Sequence, residues 1–272
     1  MKYLFFIVSI VTCLLSNAQQ VYFNKLIRND IAEQPTAILE DDSCYYVFGG
    51  QIDSITSKQK IFFYKLGKNA NLLKYCYWGD AYKTYGACKM IFTSDNNLVS
   101  CGIIIDTIQV DSMPVGYGFI QKMNKNGDTL WRQKYFDTIS LYKGSFLGIR
   151  SLQETYDKGY ILSGHIKGSV KNEYRQILIK TDSLGYGQWY KLSNKHPGYE
   201  IYPWSISITS DTGYIVAGRY WNGQNYDGWL YKTDQYGNSQ WEKFLGGQYD
   251  DWIESAIATS DGNIACVLTD TY

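Results

Sequence analysis

The chain has 272 residues, with 26 basic side chains against 26 acidic ones and 17% aromatic residues. This balance excludes the basic footprint that nucleic acid or an anionic lipid surface would require. The length is ample for one core-forming domain, which makes a disulfide scaffold unnecessary.

Residues 1–18 read as an export signal. Lys2 supplies the positive start, Tyr3 to Leu15 is an apolar run of 13, and Ser16-Asn17-Ala18 places small residues before a cleavage point ahead of Gln19. A run of 13 is too short to cross a bilayer, which takes about 20 residues. Cys13 stands in a poor context for a lipoprotein acceptor, and no later segment is apolar enough to span a membrane. The chain is therefore expected to be secreted or held at the outer cell surface, with residues 19–272 forming a repeat domain.

After cleavage five cysteines remain, Cys44, Cys76, Cys88, Cys101 and Cys266, with no C-x-x-C pair. A structural zinc site is not expected. Most of the five sit in apolar runs and read as small buried hydrophobes, with a Cys88–Cys101 bridge as the alternative.

Internal similarity dominates the remainder. Asp42 to Gly49, Asp95 to Gly102, Asp157 to Gly164 and Asp211 to Gly218 each hold an Asp, a short turn, an apolar strand and a Gly seven residues on. A fifth copy begins at Asp261 and reaches Leu268 where Gly is expected. The Asp spacings are 53, 62, 54 and 50. A second element follows each copy, with a Lys, an Asp or Asn, a Gly and a Trp. It is Lys122, Asn124, Gly127 and Trp131 in one unit, Lys180, Asp182, Gly185 and Trp189 in the next, and Lys232, Asp234, Gly237 and Trp241 in the third. The first unit keeps Lys65 but lacks the Trp.

Each unit divides into four strands. In the fourth, A is Ser205 to Thr209, B is Tyr214 to Gly218, C is Trp229 to Thr233 and D is Gln240 to Leu245. The Asp-x-Gly between A and B, and the Asp-x-x-Gly between C and D, are hairpin chemistry, with Gly expected to supply the positive φ. Strand B is apolar on both faces, as a sheet buried between two others would be. Helical periodicity is hard to find. Four antiparallel strands in about fifty residues is the signature of a β-propeller blade, and the fold class expected is all-β, a propeller of four full repeats and a partial fifth. A β-sandwich array is the alternative.

The hairpins at Asp182–Trp189 and Asp234–Trp241, with Asn124–Trp131, resemble the tryptophan-docking repeats of quinoprotein-like propellers. The whole unit resembles secreted bacterial repeat proteins that usually end in a type IX secretion sorting domain. The likeness covers roughly residues 36 to 268, departs in the first unit, and shows no sorting domain. It implies a propeller fold, export, and Trp131, Trp189 and Trp241 packed between blades. Quinone binding does not follow, because a docking hairpin is a packing feature.

A residue repeated in every unit serves a joint common to all units, whereas a single site needs different residues from each. The tryptophans, the repeated lysines, Gly49, Gly102, Gly164, Gly218, Asp157 and Asp211 are therefore read as structural, and Trp189 and Trp241 as largely buried in equivalent places. The turn carboxylates lack the density of a calcium loop, Asn124 to Asp128 coming nearest. No metal and no cofactor is expected. The histidines are His165 and His196, and neither a G-x-S-x-G nor an H-E-x-x-H is present.

In a meander the A–B and C–D turns share one end and the B–C and D–A loops the other. The latter vary, with Gly-to-Lys separations of 16, 20, 16 and 14, and are rich in rings. Tyr202, Trp204, Tyr220, Trp221, Tyr226 and Trp252 are the binding candidates, since variable loops on a rigid scaffold carry recognition and aromatic faces suit sugars and proteins. The expected function is a non-catalytic module that binds a protein or glycan at that end. The alternative is a carbohydrate-active enzyme using paired carboxylates from Asp227, Glu200, Asp250 and Asp251. The Gln20–Leu26 strand and the two strands of the fifth unit would leave a closing blade without its C strand, so the chain is expected to be a fragment or an incompletely closed ring.

Overall fold

The computed structural model describes residues 32–110, 113–135, 146–167, 174–193 and 200–271. The export signal, residues 20–26, and His196 lie outside the described residues.

The described residues are strands and turns, without helix. The first unit is β1 (Glu33–Glu40), β2 (Cys44–Ile52), β3 (Gln59–Gly67) and β4 (Leu72–Trp78). The second is β5 (Thr84–Phe92), β6 (Leu98–Val110), β7 (Met113–Met123) and β8 (Thr129–Tyr135). The third is β9 (Phe146–Glu154), β10 (Tyr160–Lys167), β11 (Tyr174–Thr181) and β12 (Gly187–Leu192). The fourth is β13 (Glu200–Ile208), β14 (Tyr214–Trp221), β15 (Tyr226–Thr233) and β16 (Ser239–Leu245), and a last hairpin pairs β17 (Asp251–Ala258) with β18 (Ile264–Asp270).

Within every unit consecutive strands pair antiparallel, but the units are not four separate sheets. The first is a four-stranded sheet, and the second, third and fourth merge into one of 12 strands. The merger rests on two single parallel pairs, Gly116 with Phe146 and Tyr174 with Glu200. They form where the first residue of an inner strand lies beside the opening of strand C in the unit before, leaving backbone groups there to satisfy one another.

The core lies between units. Val99, Cys101 and Ile120 of the second pack on Leu147, Ile149 and Leu162 of the third. Ile161 and Leu178 of the third pack on Val216, Trp229 and Tyr231 of the fourth. Strand B supplies both faces: Ile161 and Leu162, adjacent in β10, belong to different clusters and are both fully buried. All five described cysteines are free thiols, Cys44 and Cys101 buried, so Cys88 and Cys101 are not bridged.

The repeated glycines answer to a close approach. A Cβ on Gly49, Gly102, Gly164 or Gly218 would lie 2.0–2.3 Å from a carbonyl oxygen of the adjacent strand A. The A–B turns differ from expectation. Positive φ falls on the residue before the glycine, Lys158 at 64° and Thr212 at 64°. The glycines there, Gly159 and Gly213, are required because a Cβ would strike the carbonyl oxygen of Thr181 or Thr233 at 2.1–2.2 Å. In the C–D turns the glycines do take positive φ: Gly127 at 82°, Gly185 at 80° and Gly237 at 77°.

Lys180 donates to both oxygens of Asp157, at 3.0 and 2.8 Å, and Lys232 does the same to Asp211 at 3.0 and 2.9 Å. Each pair ties the A–B turn to strand C. In the first unit the turn acceptor is Asp41, one residue before Asp42, which takes the amide of Cys44 at 2.9 Å.

The tryptophans are half-buried, less enclosed than expected, because strand D is the outer strand of each unit and one edge of the indole stays in solvent. Their surroundings are equivalent. Trp131 lies 5.9 Å from Tyr160, and Trp189 lies 6.4 Å from Tyr214, each tyrosine opening strand B of the next unit. Trp241 packs against the last core cluster, as does Ile264, which opens strand B of the last hairpin.

Candidate functional site

The six aromatic candidates lie on strands, not in loops: β13 begins at Glu200, five residues ahead of the expected strand A, and takes in Tyr202 and Trp204. Tyr220 and Trp221 close β14, Tyr226 opens β15 and Trp252 lies near the start of β17. All six are half-buried. Four of them form one cluster. Tyr202 stands 6.4 Å from Tyr226, Tyr226 stands 5.0 Å from Trp221, and Trp204 shares a cation, Arg219, with Tyr202 and Tyr226. Trp252 joins through Trp204 at 6.3 Å. Tyr220 does not, because strand alternation turns it to the opposite face, where it meets Phe244 at 4.4 Å.

Arg219 holds the centre. Its guanidinium lies 4.1 Å from the Tyr226 ring, 5.2 Å from Tyr202 and 5.4 Å from Trp204. Its buried Nε has no hydrogen-bond partner, and the guanidinium forms no ion pair among the described residues. Arg219 went unremarked in the sequence because it is not repeated. Its position, immediately after the repeat glycine, is Gly50, Ile103, His165 and Arg219 in the four units. A position that changes from unit to unit on a constant frame is the mark of a single site.

His165 is the counterpart of Arg219 in the third unit. Its ring lies 5.5 Å from Tyr202, 6.0 Å from Tyr174 and 5.9 Å from Phe146. Burial pulls its pKa down from 6.5 to about 3, with the Arg150 charge adding to the effect, so the imidazole is neutral at physiological pH. Tyr202 touches both His165 and Arg219 and joins the two halves of the cluster.

Of the four expected carboxylates, Asp251 holds the loop ahead of β17 and Asp227 the turn between β14 and β15. Asp251 accepts from the amide of Gly247 at 2.8 Å, and Asp227 from the amide side chain of Asn222 at 2.9 Å. Both face Gly246, where a Cβ would lie 2.2 Å from Asp227 Oδ1 and 2.9 Å from Asp251 Oδ2. Glu200 and Asp250 are differently placed. Glu200 Oε2 accepts from the Tyr202 hydroxyl at 2.7 Å, and Asp250 Oδ1 from the backbone amide of Tyr226 at 2.9 Å. They occupy matching positions, three residues before Pro203 and Ile253, where strand A bulges in each unit. Burial raises the Tyr226 hydroxyl pKa, the Arg219 charge opposes that, and the charges of Glu200 and Asp250 add to it. Both carboxylates therefore act on the same hydroxyl.

Among the described residues no group of three or more His, Cys, Asp or Glu side chains could hold a metal ion. In the Asn124–Asp128 turn, Asn124 and Asp128 bond one another at 2.9 Å.

No protein family matches the chain, and no curated protein matches it. Solved structures do. A mannose phosphorylase from Leishmania mexicana in complex with phosphate ion matches at 10% identity and a TM-score of 0.49, covering 96% of this chain and 88% of that one. A β-fructofuranosidase from Bombyx mori matches at 12% identity and 0.44, covering 86% and 53%. A glycosyl hydrolase from Bacteroides ovatus matches at 11% identity and 0.41, covering 89% and 84%. The expectation of a non-catalytic binding module is corrected by these matches, since each structure is named as an enzyme. The comparisons show neither a quinoprotein repeat nor a sorting domain.

Proposed function

We propose that the chain is a carbohydrate-active enzyme on a β-propeller frame, with its site at the end that carries the B–C and D–A loops. The radial arrangement is supported by the order of packing: each unit lies face to face with the next across a buried cluster, and the strands A follow one another, β1 beside β5, β5 beside β9, β9 beside β13 and β13 beside β17. Among the described residues no helix is long and apolar enough to cross a membrane. We place the activity outside the cell, on the strength of residues 1–18.

The observation that carries the enzymatic reading is the matching placement of Glu200, bonded to the Tyr202 hydroxyl, and Asp250, bonded to the Tyr226 amide, beside an arginine that stacks on both rings and forms no ion pair among the described residues. Cleaving a glycosidic bond takes one carboxyl group to protonate the leaving oxygen and a second to activate the attacking group or stabilise the oxocarbenium ion. Glu200 is fixed by Tyr202 through Oε2, which leaves Oε1 to face substrate. Asp250 is fixed through Oδ1, which leaves Oδ2. Tyr202, Tyr226 and Trp221 form a wall on which a sugar ring can stack, burying area at small entropic cost. Arg219 would meet negative charge on the substrate, the leaving group or an attacking anion.

The test is a screen of the purified chain against neutral and acidic oligosaccharides, with and without inorganic phosphate, reading new reducing ends or sugar phosphates by chromatography. Turnover of at least one substrate class, lost in Arg219→Ala or Glu200→Gln, is expected. Absence of turnover across the panel in both conditions overturns the reading.

A further inference from the structure

The opposite end of the molecule, where the A–B and C–D turns lie, holds a cavity of about 350 Å³ between the third and fourth units. This lies within the range of about 300–1,000 Å³ typical of ligand pockets. Eight residues of β13, roughly 25 Å, separate its Ile208 from Glu200.

The junction between the second and third units shows why this one is open. There, Glu154 accepts from the backbone amide of Ser94 at 2.7 Å and from its hydroxyl at 2.9 Å, filling the space between the two turns. At the third–fourth junction Ile208 stands where Glu154 would be, each facing the tyrosine that opens its strand B. Tyr156 stands in place of Ser94, between the same Thr and Asp of the turn. Ile208 cannot accept a hydrogen bond and Tyr156 is too large to tuck in, so the plug is gone. Tyr156 instead stands 75% exposed at the rim, and Tyr236 of the next unit stands 62% exposed where the third unit has Leu184.

The lining names the ligand. Trp189 and the two rim tyrosines supply ring faces, and Trp189 is held rigidly against Tyr214 at 6.4 Å. The charges within the cavity, Lys180 and Asp157, are paired with one another at 2.8 Å. They therefore offer no unbalanced charge to an ionic ligand. Gln188 and Gln235 have their amide oxygens engaged, by Lys180 and by Thr212, and their amide nitrogens donate to no protein group among the described residues. Ring faces flanked by free amide donors and no net charge suit a neutral pyranose, whose C–H face stacks on an aromatic ring while its hydroxyls accept at the edge. We infer that this groove is a second glycan-binding site, for a neutral sugar ring, apart from the site at Glu200 and independent of whether that site is catalytic.

The experiment titrates the purified chain with cellotetraose, mannotetraose, xylotetraose and maltotetraose, followed by tryptophan fluorescence and calorimetry. At least one is expected to bind saturably. Tyr156→Ala and Tyr236→Leu should each weaken that binding by about tenfold, the loss of one stacking contact worth about 1.4 kcal/mol. Tyr236→Leu installs the residue that the neighbouring junction already carries, which keeps the fold safe. The double variant Tyr156→Ser with Ile208→Glu rebuilds the plug and should abolish binding. The inference is overturned if none of the four binds at millimolar concentration, if binding survives in Tyr236→Leu and in the plugged variant, or if a proline-rich peptide occupies the groove and the saccharides do not.

Discussion

Trp131 occupies the space in which a side chain on Gly185 would have to sit: a Cβ there would lie 2.7 Å from the indole Cζ3. One unit on, Trp189 does the same to Gly237, at 2.8 Å. The tryptophan of each strand D and the glycine of the following C–D turn are thus two halves of one joint. Gly185 also sits at φ +80°, so an alanine there meets both the ring and the backbone penalty. Gly185→Ala should lower stability by about 2–3 kcal/mol. Gly187, two residues on and with nothing near its would-be Cβ, should tolerate the same change with little loss. Chemical denaturation of the two variants checks the difference, and equal losses would remove the joint.

Asp211 links stability to acid pH. The Thr209 hydroxyl and then the Lys232 ammonium hold its carboxyl down, from 3.8 to about 2. A carboxylate whose folded pKa is depressed adds stability above its unfolded value and loses it as pH falls toward the folded one. The melting temperature should therefore drop between about pH 4 and pH 2, and Asp211→Asn should flatten part of that drop. An unchanged slope in the variant would show that the pair contributes nothing.

His165 acts in a higher window. Buried and neutral, with its pKa pulled from 6.5 to about 3, it takes up a proton far more readily when unfolded. Stability should rise with pH between about 3 and 6.5, and His165→Phe, which keeps a ring beside Tyr202, should remove that part of the slope. Thermal melts of both proteins from pH 4 to pH 7 measure it. Parallel curves would mean that the imidazole is solvated.

The repeat was legible in the sequence because its residues answer to constraints met once in every unit. The four repeat glycines meet a carbonyl, the lysines of the second, third and fourth units meet a turn Asp, and Trp131 and Trp189 meet a glycine of the next unit. The reason for the A–B glycine was not legible, since a close approach to Thr181 and a positive φ leave the same residue in the sequence. The joining of units into a 12-stranded sheet was not either, because it rests on single backbone pairs that impose no residue type. The aromatic candidates read as loop residues in the sequence, although Tyr202 and Trp204 lie on β13. Arg219 and the groove at Tyr156 share one cause of invisibility. Each lies where one unit departs from the others, and a reading built on what repeats passes over what does not.

Glu200 carries the central role in the proposed chemistry. The measurement is the rate of glycosidic-bond cleavage by Glu200→Gln and by Asp250→Asn, on the substrate that the wild-type chain turns over best, with melting temperatures to show that both variants fold. General acid–base groups contribute about 10²–10⁴-fold, so each variant should lose at least a hundredfold in kcat while remaining folded. Wild-type rates in both folded variants would contradict the assignment and move the chemistry away from this end of the molecule.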